Sequence, residues 1–76
     1  MRKQIVELDS PLDALLAVAK RLSRYEADAG MSSEDFYSLY TKGAAGDEER
    51  SIEWANDYRH YLALRRELDK KLHEAA

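Results

Sequence analysis

Glu53, Asp57 and His60 stand at i, i+4 and i+7, a spacing that turns three metal-binding side-chain types toward one side of a helix. A carboxylate-bridged cation would need more than this. Such sites in helical bundles draw Glu and Glu-x-x-His sets from several helices, whereas the helical stretch 11–29 contributes no His and turns mainly apolar residues inward. The favoured reading is a solvated charged face, with no metal and no cofactor. Nucleophilic chemistry fares no better: Ser10, Ser32 and Ser33 sit where helix caps are needed, and no Gly-rich nucleophile turn, P-loop or dinucleotide fingerprint occurs. The chain reads as a non-enzyme.

Charge is the other source of chemistry. Lys20, Arg21 and Arg24 form one basic group and Arg59, Arg66, Lys70 and Lys71 another, but acids interrupt both. The net charge of −3 comes from 15 acids against 12 bases, which does not favour a polyanion ligand by bulk charge. Solubility and surface ion pairing are the preferred roles, with nucleic-acid binding the alternative. Glu26 and Arg65 interrupt otherwise apolar helix faces. Either their stems are buried while their heads reach solvent, or the two pair across a dimer and fix its register.

The elements that would hold these residues are three helices. Asp9-Ser10-Pro11-Leu12-Asp13 is a helix start: Ser10 can accept from first-turn amides, Pro11 lacks a donor there, and Asp13 suits the positive helix end. Leu12, Leu15, Leu16, Val18, Ala19, Leu22 and Ala29 share one broad face of the helix that follows, and Gly30 ends it. A second start lies at Ser32, with Asp35 as reciprocal capping partner and Met31 against Phe36 as a hydrophobic staple. This short helix ends before Gly43 and carries Phe36, Tyr37, Leu39 and Tyr40. Gly46-Asp47 begins the third, which has no breaker to the end and places Trp54, Ala55, Tyr58, Tyr61, Leu62, Leu68 and Leu72 on one face.

The expected fold is all-α: an antiparallel hairpin of two long helices, bracketed by the short one, within a single domain spanning 9–76. Residues 1–8 form an extended or disordered arm. The helix of 11–29 is about 30 Å long and the last about 40 Å, so the two cannot cover each other end to end. A helical-bundle homodimer using Glu26, Tyr61, Arg65, Leu68 and Leu72 is the expected remedy. A chain of 76 residues without cysteine has helix packing or self-association as its means of support. Its start lacks a secretory signal and its apolar runs are short, which leads to the expectation of a cytoplasmic protein with no membrane contact. The aromatics crowd into the short helix and the first half of the last one, and at least one Tyr should lie on an exposed rim.

The run Leu8-Asp9-Ser10-Pro11-Leu12-Asp13-Ala14-Leu15-Leu16, then Met31-Ser32-Ser33-Glu34-Asp35-Phe36-Tyr37, then Gly43-x-x-Gly46-Asp47 with Glu53-Trp54 and Tyr58, resembles small bacterial antitoxins of type II toxin-antitoxin pairs, frequent in cyanobacteria. The resemblance spans roughly Glu7 to Leu68 and rests on the joint order of simple capping and turn signals. It implies a protein that neutralises a toxin encoded beside it, often a nuclease, by masking its active surface. The implied partner-binding residues are Phe36, Tyr37, Tyr40, Asp47, Glu48, Glu53, Trp54 and Tyr58, whose acids could complement a basic site on the toxin. Better-known antitoxins join a DNA-binding part to a disordered toxin-wrapping tail, and this sequence shows neither. The competing functions are a small nucleic-acid-binding transcriptional regulator and a self-associating structural protein.

Overall fold

The computed structural model describes residues 10–46 and 48–75, and these form three helices with no strand: α1 (Pro11–Ala29), α2 (Ser33–Thr41) and α3 (Glu49–Ala75). The expected arm, residues 1–8, lies outside the described residues, as does Asp47.

Local signals set the ends of α1 and α2. Ser10 is extended and its Oγ accepts from the Asp13 amide at 3.4 Å, satisfying one orphan donor of the first turn. Gly30 ends α1 at φ 71°, where a side chain would be strained, and its N–H donates to the Glu26 carbonyl at 2.8 Å. Ser32 caps α2 through the Asp35 amide at 3.0 Å. At the other end of α2 the Gly43 amide donates to Tyr40 and the Ala44 amide to Leu39. This is the pair of bonds that closes a helix when the residue after its cap turns left-handed. α3 starts at Glu49, later than the Gly46-Asp47 start expected. The Glu48 carbonyl accepts the Ile52 amide, while Gly46 at φ 80° still belongs to the turn.

α1 and α3 touch extensively, and the pairs between them step backwards along the chain: Arg21 with Asp57, Tyr25 with Trp54, Asp28 with Arg50. The core sits where α2 packs against both. Leu22, Phe36, Trp54 and Ala55 are its buried members, with Tyr25, Met31, Tyr37, Tyr40, Ala45, Tyr58 and Tyr61 packed around them. Val18 and Leu64 are buried further along the α1–α3 contact.

The face expected of α1 is only half realised. Val18 and Leu22 are buried, but Leu12 is 53% exposed and Leu16 54%, and Ala29 is exposed, while Tyr25 packs inward in their place. An apolar arc as broad as the one read from the sequence exceeds what one neighbouring helix can cover. Its outer edge is therefore left uncovered among the described residues. On α3 Leu68 is half-buried and Leu72 is 69% exposed.

Candidate functional site

Every aromatic side chain of the protein belongs to one continuous contact chain. Tyr25 stacks with Trp54 at 5.4 Å between centroids, and Trp54 lies nearly parallel to Phe36 at 3.9 Å. Phe36 meets Tyr40, Tyr40 meets Tyr37, Tyr37 meets Tyr58 at 5.2 Å, and Tyr58 meets Tyr61. Helix spacing explains the links within α2 and within α3, where residues three or four apart share a face. The links between helices are tertiary. Guanidinium groups lie over three of the rings: Arg50 over Tyr25, Arg59 over Tyr37 and Arg65 over Tyr61, each within 5.9 Å of the centroid.

The chain of rings has a buried middle and accessible ends. Phe36 and Trp54 are about 95% shielded, at 5% and 4% exposure, so these two expected partner-binding residues are core. Tyr37, Tyr40, Tyr58 and Tyr61 are half-buried and are brought together at the surface of α2 and α3. Burial raises the Tyr58 pKa above its ordinary value, and the negative charge of Glu34 adds to that; Glu26 contributes in the same direction and Arg65 opposes it. Glu26 and Glu34 share the lining of one recess with Tyr58 and Tyr61 and so border the tyrosine row. The same recess is lined by Leu22, Ser33 and Arg65, among others.

The other expected acids lie elsewhere. Glu48 is exposed at the start of α3, and Glu53 lines a separate open recess with Arg21, Arg24, Tyr25, Asp28 and Arg50. Glu26 and Arg65 have intramolecular surroundings that the cross-dimer expectation did not foresee. The Glu26 carboxylate accepts the Ser33 amide at 2.9 Å and so caps α2 from α1, which explains an acid on an apolar face. Arg65 lies over Tyr61 in the same recess, and no ion pair joins it to Glu26 among the described residues.

Two roles were not visible in the sequence. Ser33, assigned there to capping, is buried, and its Oγ accepts the Trp54 indole N–H at 2.9 Å. No buried side-chain polar atom is left unpaired among the described residues. Asp57, read as part of a solvated face, takes both Nε and Nη2 of Arg21 at 3.0 and 3.1 Å and a weaker bond from the Tyr25 hydroxyl at 3.4 Å. The hydrogen bond from Arg21 raises that guanidinium's pKa, while burial followed by the Asp57 charge raises that of Tyr25. Among the described residues no group of three or more acidic, His or Cys side chains is placed to hold a metal ion. Nor is any described helix long and apolar enough to cross a membrane.

The class defined by this geometry is an all-α, three-helix protein with an aromatic core that surfaces as a row of tyrosines. No protein-family model, curated protein or solved structure matches the chain.

Proposed function

We propose that this chain is a non-catalytic protein-binding module, an antitoxin that neutralises a toxin encoded next to it by covering the toxin's active surface. The observation that carries the reading is the row of half-buried tyrosines, Tyr37, Tyr40, Tyr58 and Tyr61, bordered by Glu34 and Glu26. Tyrosine gives large, stiff contact area at small entropic cost, and it is enriched where protein interfaces hold most of their energy. The border is mixed in charge, Arg59 and Arg65 lying over Tyr37 and Tyr61, and Glu34 and Glu26 are its groups that would meet a basic partner, such as the nucleic-acid site of a nuclease. The resemblance to bacterial antitoxins points the same way. The short apolar runs add a cytoplasmic setting to the reading, and the unequal lengths of α1 and α3 add a hairpin that pairs as a helical bundle.

A nucleic-acid-binding regulator is the weaker reading. Arg21 is engaged by Asp57 and Arg59 by Tyr37 and Asn56, which leaves the two basic groups thinner than the sequence suggested. Co-expression with the neighbouring gene is the decisive experiment. The neighbour should arrest growth alone, be harmless with this chain, and co-purify with it. Tyr37→Ala and Tyr40→Ala should weaken that complex while leaving the free chain folded by circular dichroism. A neighbour that is harmless alone, or that fails to co-purify, overturns the proposal; salt-sensitive retention of the operator fragment by the chain alone selects the regulator.

A further inference from the structure

Away from the tyrosines, one side of the α1–α3 pair carries a ridge beside a groove. The ridge is Leu12 and Leu16, one helical turn apart on α1 and both more than half exposed, at 53% and 54%. The groove, about 600 Å³ and open to solvent, has Leu15, Leu62, Leu68 and Leu72 along it and Arg65, Arg66 and Asp69 among its lining. At about 100° per residue Leu12 and Leu16 differ by roughly 40° around α1, and Leu15 lies roughly 60° from Leu12 on the groove side. Convex and concave apolar surfaces thus adjoin on one molecule. A two-fold axis through such a face sets each ridge into the other copy's groove, because an isologous contact repeats every residue pair in reverse.

Charge selects the same occupant. Asp13 follows the first ridge leucine and is exposed, with no ion-pair partner among the described residues. The groove it would approach in a second copy has two guanidiniums against one carboxylate. We propose that a second copy of this chain covers this face, Leu12 and Leu16 of each copy entering the groove of the other and Asp13 meeting Arg65 and Arg66. The interface differs from the one expected from the sequence, in which Glu26 and Arg65 were the pair: here Arg65 turns to Asp13, and Glu26 stays with Ser33.

Sedimentation equilibrium on the full chain, without any toxin, tests this separately from the antitoxin reading. The mass should rise from one copy to two with concentration, and Leu16→Lys should raise the dissociation constant at least about tenfold, with the helical spectrum unchanged. Asp13→Arg should weaken association, and adding Arg65→Asp with Arg66→Asp to it should restore most of the loss. A structural defect at the start of α1 would not be repaired by changes on α3. A monomer at every concentration overturns the proposal, whether the face stays bare, is covered by residues 1–9, or is filled only when a toxin is added. A dimer indifferent to Leu16→Lys and to the charge reversal overturns it as well, placing the contact elsewhere.

Discussion

The two ends of the α1–α3 pair meet the same problem, an apolar stripe that needs cover, and meet it unequally. At one end α2 packs against both helices: Trp54 is stacked on Phe36 and Tyr25, its indole N–H is taken by Ser33, and the Ser33 amide is taken by Glu26. Three helices share one set of rings and hydrogen bonds. At the other end Leu12, Leu16 and Leu72 are largely exposed among the described residues, with only aliphatic carbon to offer. The contrast teaches that the fold's stability is concentrated rather than spread along α3. One end specifies a unique packing; the other leaves surface available for association.

The largest test of that contrast is Trp54→Ala. Removing a side chain that is 4% exposed and stacked on two rings leaves a cavity in the core cluster where all three helices meet. The expected loss is about 3–5 kcal/mol, a large share of what a domain this small has, read by urea denaturation. An unchanged melting temperature would mean that the aromatic end is not where stability resides.

Ser33→Ala comes next. The backbone amide that binds Glu26 survives, so only the acceptor for the Trp54 indole is lost, and a buried donor without a partner costs about 1–3 kcal/mol. Equal stability of the variant and the parent would show that water replaces the hydroxyl and that the end is wetter than the packing implies.

How much of this could be read in advance divides along a physical line. Ser10, Pro11, Gly30, Ser32 and Gly43 mark helix ends through bonds that reach at most a few residues, so residue type at one position suffices. The helix bounds were therefore legible within a few residues. Ser33 and Asp57 take their roles from Trp54 and Arg21, partners 21 and 36 positions away, and nothing local distinguishes them from a spare cap and a solvated acid. Glu26 was recognisable as out of place on its face, but its use as a cap for the neighbouring helix depends on how the Gly30 turn brings Ser33 back beside it. For α1, periodicity showed an apolar arc but not which part of it is covered, because the arc holding Leu12, Leu16 and Leu22 is wider than one contact. Of the expected partner-binding residues, the tyrosines reach the surface and Phe36 and Trp54 do not, a distinction between rings that composition cannot make.

A smaller effect belongs to Arg21→Ala. Arg21 is half exposed and solvent screens its bridge, yet Asp57 holds it through two bonds at once and ties the middle of α1 to α3. About 0.2–1 kcal/mol should be lost in low salt, and less as salt rises. A loss that grows with salt would reverse the assignment.

The smallest effect should come from Leu72→Gln, and its smallness is the point. The side chain is 69% exposed, so at dilutions where the chain is a single copy, removing its apolar carbon should alter stability by no more than about 0.5 kcal/mol. The same substitution lies in the groove with Leu15, Leu62 and Leu68, so at concentrations that favour association its cost should grow. Denaturation at two protein concentrations separates these regimes. Concentration-independent destabilisation of a kilocalorie or more would mean that Leu72 is covered within its own chain and that the two ends are alike after all.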